Sequence, residues 1–222
     1  MNLDMQQYLI STPTIDSDHP SVQTFARNNA GDAPDATAQA IRLYYAVRDG
    51  IWYDPYRIDL TVDGLKASTT LRAGRSWCIA KAILLAACCR VMQIPARLGF
   101  ADVRNHLSTA RMREQMKTDT FCWHGYTSIH LNGVWVKATP AFNIDLCKRF
   151  RIAPLEFDGN ADSIFQPFDL DGHRHMEYIH YRGEFADTPI DAIQKTFHDQ
   201  YNWNPSCWKD ASFDNDVTEE VL

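Results

Sequence analysis

Positive charge is sparse in this chain and nowhere concentrated: 22 lysines and arginines face 28 aspartates and glutamates, for a formal charge of -6. A phosphate backbone is gripped by a basic patch or stripe, so no nucleic-acid partner is expected. Long apolar runs are missing as well. No segment approaches the roughly 18 uninterrupted apolar residues of a membrane span, and the opening MNLDMQQYLISTP lacks a basic stretch followed by an apolar one. No membrane association is expected, and the location read from this is cytoplasmic. Paired cysteine spacing is absent. Of six cysteines, Cys88 and Cys89 stand side by side in an apolar run and the others are scattered, a pattern of reduced, mostly buried thiols rather than a disulfide framework. His173, Arg174, His175 and His180 cluster in sequence, but no cysteine or carboxylate falls at a recognisable ligand spacing, so they read as solvated loop histidines. Neither a metal nor a cofactor is expected. Repeats and low-complexity tracts are likewise lacking.

What is present suffices for a folded unit. With 222 residues, 45% of them hydrophobic, the chain can bury a sizeable core within the span that one domain commonly fills. The expected organisation is a single domain over 1–222, with a core at about 32–145, an N-terminal arm at 1–31 and a C-terminal extension at 146–222. Pro20 opens a short helix over 21–29. Asp32 or Asp35 caps a stronger one over 32–49, where Ala36, Ala40, Leu43, Tyr44 and Val47 recur at helical spacing until Gly50. Residues 51–76 read as irregular. The most apolar segment, 77–92, is long and alanine-rich enough for a buried helix, and Pro95 forbids its continuation.

Beyond Pro95 the texture turns to strands. Residues 96–103 alternate, 121–131 are aromatic and β-branched, and 134–138 follow the turn pair Asn132-Gly133, which predicts a hairpin. The charged stretch 105–120 reads as a helical excursion between strands. After Pro140 a short helix over 143–150 and an amphipathic one over 189–201 are expected, with an acidic, frayed tail from 210 onward. The fold class is α+β.

Chemistry concentrates at Cys78, in the first turn of the buried helix. Free N–H groups and partial positive charge at a helix start stabilise a thiolate, and the same groups can receive the oxyanion of an acyl intermediate. Arg72 and Arg75 add cationic charge nearby in sequence. A thiol also needs a base. Among eight histidines, His124 stands at the head of the strand GYTSIHL, whose alternation would lay it against the Cys78 helix, shielded by Trp123 and Tyr126. Trp52, Tyr53 and Tyr56 either pack in the core or line a cleft, and Arg97 reads as a structural charge partner.

Two segments together resemble a known family. GRSWCIAKAILLAACCRVMQIPARLGFADV is similar to the cysteine motif of the transglutaminase-like superfamily, in which the cysteine begins an alanine-rich helix and an Ile-Pro-Ala-Arg turn, here Ile94 to Arg97, leads into a strand. WHGYTSIHLNGVWVKATP resembles the second motif, where the histidine opens one strand and a Trp-Val pair, here Trp135-Val136, opens the next. The resemblance covers about 60–143 and implies a papain-like fold with the cysteine helix packed on an antiparallel sheet. It makes Cys78 the nucleophile and His124 the base, and gives His130 no role. The family's third member is an aspartate before proline; this chain has Thr139-Pro140. A threonine hydroxyl can orient an imidazole but cannot stabilise its charge as a carboxylate does. The alternatives for that role are Asn143, Asp102 and Asp145.

These readings converge on a thiol-dependent acyl-transfer enzyme, a peptidase or amidase working through a Cys78 acyl-enzyme on a peptide, a protein or a small amide. The alternatives are a transglutaminase with an amine acceptor and a non-catalytic peptide- or protein-binding module on the same fold. The oligomeric state has no signature in the sequence.

Overall fold

The computed structural model describes residues 3–105, 108–165, 167–201, 208 and 211–221. A single helical turn, α1 (Leu3–Gln6), precedes an arm that buries Leu9 and Ile15. Helix α2 (Pro20–Ala30) carries proline in its first turn, and α3 (Ala36–Gly50) starts where the Asp35 side chain accepts the Ala38 N–H at 2.8 Å. Asp35, rather than Asp32, is the cap. Asp32 pairs instead with Arg42 at the surface.

Residues 51–76 are more ordered than their sequence pattern implies. They form a short parallel pairing of β1 (Trp52–Tyr53) with β2 (Arg75–Ser76), linked by α4 (Val62–Leu65) and α5 (Ala67–Ala73). Short elements of two to seven residues leave too few turns for periodicity to register. Gly74 ends α5 in the left-handed conformation, its N–H bonding Thr70 O, and sends the chain into β2.

Helix α6 (Cys78–Val91) runs through the middle of the core, all but its last residue buried. It packs against α2, α3 and α5 on one side and β4 (Thr120–Leu131) on the other. Such a helix lacks a polar stripe because it has no solvent face. Its two charged side chains are satisfied internally. Lys81 donates to Arg48 O at 2.9 Å and Ile51 O at 2.5 Å. Arg90 gathers Ala96 O, Ile10 O and Ala186 O, tying the arm and the end of the sheet to the helix terminus.

The main sheet is antiparallel, in the order β5–β4–β3–β6: β3 (Ala96–Asn105) and β5 (Val134–Ala138) flank β4, and β6 (Met176–Phe185) pairs with the other side of β3. Asn132 and Gly133 both take positive φ, 51° and 85°, as a two-residue hairpin of this hand demands. Strand β6 had no counterpart in the sequence reading. Its residues are half exposed or exposed along most of its length, and MEYIHYRGEF carries charges where a core strand would alternate.

Helix α7 (Ala110–Met116) is the excursion between β3 and β4, α8 (Ile144–Phe150) follows β5, and α9 (Ile190–Tyr201) follows β6. The acidic end is not frayed. It forms α10 (Phe213–Val221), which buries Phe213 and Val217 and is fastened to α7 by Arg111–Asp216 at 2.7 Å and by the Glu220 carboxylate on the Ala110 N–H at 2.7 Å. The carboxylates that make the tail look solvated are the ones that dock it. No helix among the described residues is long and apolar enough to cross a membrane.

Candidate active site

Cys78 is the first residue of α6, after the extended Trp77, and is 7% exposed. The backbone N–H groups of Gly125 and Ile79 reach its sulfur. This contact depends on the absence of a side chain at Gly125: a Cβ there would lie 2.9 Å from Ile79 Cα and 3.3 Å from Ile79 N. Glycine therefore lets β4 touch the backbone of the helix start, and the residue before it is His124.

Gly125 and Thr127 lie against α6, the Thr127 hydroxyl donating to Ala82 O at 2.8 Å, while His124 shares a pocket with Cys78 at the helix start. The simple alternation expected for this strand is broken just upstream. The register with β3 shifts between Ala101 and Val103, whose partners are His124 and Phe121, so β4 carries an extra residue. Trp123 occupies that bulge with φ 62°, a conformation that bulky side chains rarely adopt. Three contacts hold it there. Its N–H donates to Asp102 Oδ1 at 3.1 Å, its indole N–H to Thr196 Oγ1 at 2.9 Å, and the Arg182 guanidinium lies 4.6 Å over its ring. Arg182 in turn clasps Asp102 through both carboxylate oxygens, at 2.5 and 2.9 Å. A bulge over-determined in this way re-aims the next side chain.

His124, 5% exposed, is aimed into a pocket that Cys78 also lines. Its ring packs beside Phe165 and Tyr178, at centroid separations of 5.5 and 6.3 Å. Among the described residues its Nε2 has no hydrogen-bond partner. Burial pushes the imidazole pKa down to about 4, with the neighbouring His175 adding to the effect. Burial likewise pushes the Cys78 thiol up to about 11, outweighing the Gly125 and Ile79 amides that pull it the other way. The helix start thus favours a thiolate, as the sequence implies, but desolvation is the larger influence and the resting pair is uncharged.

Thr139 follows β5 directly. Its N–H donates to Ser163 O at 3.1 Å, its carbonyl accepts from Tyr44, and its buried hydroxyl has no hydrogen bond among the described residues, so it does not engage His124 here. The other candidates for the third position are occupied elsewhere. Asp102 holds the Trp123 bulge and Arg182, Asn143 Oδ1 accepts from Tyr53 N at 3.1 Å, and Asp145 is exposed and pairs with Lys148. Tyr53 lines the pocket, whereas the Tyr56 hydroxyl is held outside it by Thr109 and Asp216, and Trp52 is exposed. Arg75 pairs with Asp54 and neither Arg72 nor Arg75 lines the pocket. Arg97 is the charge partner of Glu184 and stacks 3.9 Å over Trp135.

Two residues beside His124 were not singled out in the sequence. His175, read there as a solvated loop histidine, is buried against Phe142 and Phe165. Tyr178 comes from β6, and burial raises its hydroxyl pKa well above the usual phenol value. His180 lies on the same strand and is exposed. Asp169, Asp171 and His173 converge on an exposed turn with the spacing of a cation site, but Arg151 already neutralises Asp171 through two contacts. The described cysteines, 78, 88, 89, 122 and 147, are all free thiols.

Comparisons with known proteins bear on the family and the fold. The model of the transglutaminase-like superfamily matches residues 23–140, which take in α6, the hairpin and Thr139. The chain belongs to the transglutaminase-like superfamily. Among solved structures, a "Putative Cysteine Protease" from Cytophaga hutchinsonii aligns with a TM-score of 0.50 at 17% identity, over 63% of this chain and 43% of its own. A "Putative Protease" from Parabacteroides distasonis aligns with a TM-score of 0.39 at 15% identity, over 54% of this chain and 23% of its own. This chain therefore spans less than half the length of either structure, and the first likeness bears on the superfamily fold alone. No curated protein matches the sequence.

Proposed function

We propose that this member of the superfamily is a thiol-dependent amide hydrolase in which Cys78 is the nucleophile and His124 the proton carrier, with the Thr139 hydroxyl, unbonded among the described residues, turning to orient the imidazole during the reaction. The reading is carried by one observation: a cysteine at the start of a buried helix shares a pocket with a histidine, and the amide beside that histidine reaches the sulfur. The sulfur attacks the carbonyl carbon while His124 takes the thiol proton, and the carbonyl π electrons move to oxygen. When the tetrahedral adduct collapses, the C–N bond breaks and the imidazolium gives its proton to the departing amine. Water then attacks the thioester, with His124 as base, releasing the acid and the thiol. Thiolate and imidazolium appear together, so each offsets the burial cost of the other.

Hydrolysis is preferred to transfer onto an amine because no carboxylate is found among the described pocket residues to attract a cationic acceptor. The unpartnered Nε2 of His124 and the unengaged Thr139 hydroxyl favour a second reading, a peptide-binding module that retains the fold. Iodoacetamide labelling at neutral pH, mapped by mass spectrometry, separates the two. The enzyme reading expects Cys78 to label faster than Cys88 and Cys147, and His124→Gln to remove the difference. Equal labelling of the three cysteines would leave the binding module as the better account.

A further inference from the structure

We propose that the pocket beside Cys78 receives an uncharged apolar group carried by the acyl donor next to the scissile carbonyl, selecting against charge more than for shape. This rests on the acyl-transfer reading above and adds the substrate class to it. The pocket is partly enclosed and opens in part to solvent. Met112 and Met116 of α7 and Met176 of β6 line it together with Trp77, Phe121 and Phe197. Among the described lining residues there is no aspartate, glutamate, lysine or arginine. Asp54, Asp102, Arg104, Arg111 and Glu177, each next in sequence to a lining residue, all have an ion-pair partner and are not among the lining residues. A charged group entering here would lose its hydration and meet no countercharge. An apolar group would replace water against thioether and aromatic walls. The methionines are unbranched and repack around differently shaped guests, so aliphatic and aromatic groups should be accepted alike. Because the same walls close over Cys78, the group that fills them must be attached to the carbonyl at the sulfur.

The test uses the full chain and four reagents, the chloromethyl ketones of N-acetylated phenylalanine, leucine, aspartate and lysine. In each the Cys78 sulfur displaces chloride and its proton passes to solvent, and the adduct is located by mass spectrometry. The phenylalanine and leucine reagents are expected to modify Cys78 at least about tenfold faster than the two charged ones. Met116→Lys should narrow the gap for the aspartate reagent while leaving the lysine reagent slow. Modification of Cys78 at equal rates by all four, or faster by a charged one, overturns the inference and leaves the acyl-transfer reading standing. If no reagent modifies Cys78, the acyl-transfer reading itself is wrong and this inference falls with it.

Discussion

Replacing Gly125 by alanine perturbs the geometry that brings nucleophile and base together while leaving both in place. The added methyl carbon would stand 2.9 Å from Ile79 Cα, 3.2 Å from Ile79 Cγ1 and 3.3 Å from Ile79 N. Two of these neighbours are backbone atoms of the first turn of α6, so no side-chain rotation relieves the contact. Restoring ordinary separation requires β4 and the helix start to part by about half an ångström, and overpacking of this kind costs about 1–3 kcal/mol of stability. The same residue follows His124, and its amide pulls the Cys78 thiol pKa down, so the displacement falls on the reacting groups. A misplacement of about 1 Å can cost about 100-fold in rate, which makes about tenfold the expectation for half that distance. Gly50→Ala is the control, since nothing lies within 4 Å of a Cβ there. The assay pairs urea unfolding with the rate of Cys78 modification by N-acetylphenylalanine chloromethyl ketone. Gly125→Ala should lose reactivity at Cys78 beyond anything its stability loss explains, and Gly50→Ala should lose neither. Full reactivity and stability in Gly125→Ala would refute the close approach and the site built on it.

Other perturbations test separate parts of the site. His124, held to a pKa of about 4 against a usual 6.5, cannot take up the proton that the unfolded chain binds below pH 6.5. Its contribution to stability therefore falls as pH drops from 6.5 to 4, by about 3 kcal/mol in all. Urea titrations should show that the acid-side loss is smaller in His124→Gln by about that amount. Lys81 is held down to about 7 by burial, so between pH 7 and 10.5 the unfolded chain binds the extra proton and stability rises with pH. Lys81→Met should remove that part of the slope in the same titration. Asp102→Ala deletes the acceptor for the Trp123 N–H and the clasp on Arg182. If the bulge aims His124, Cys78 modification slows by more than the unfolding free energy accounts for; a change in stability alone would reduce Asp102 to a structural ion pair.

The cysteine helix was legible in the sequence from its length, its alanine content and the stop at Pro95, and the hairpin from its β-branched and aromatic strands about the turn pair Asn132-Gly133. The site residues on them, Cys78 and His124, follow from position and family resemblance. What surrounds the imidazole was not legible. Tyr178 arrives from an edge strand, and His175 from the residue just before it; the half-exposed residues of that strand do not alternate, and its pairing with β3 spans about 80 residues of sequence. The Trp123 bulge was equally hidden, because one extra residue leaves no mark in a strand that is apolar on both faces. That is why alternation alone does not place His124, which shares the Cys78 pocket while the Gly125 backbone and the Thr127 side chain lie against the helix. The tail was misjudged for a related reason: Asp216 and Glu220 look like solvated charges until Arg111 and the first turn of α7 are placed beside them.

The central claim is that Cys78 forms a thioester with the substrate's acyl group and that His124 assists. Its most direct measurement is acid quenching of the chain after mixing with the p-nitrophenyl ester of N-acetylphenylalanine, followed by peptide mapping by mass spectrometry. The account predicts an N-acetylphenylalanyl adduct on Cys78, none in Cys78→Ala, and slower formation in His124→Gln. An unmodified Cys78, or an adduct that forms as fast without His124, would contradict it.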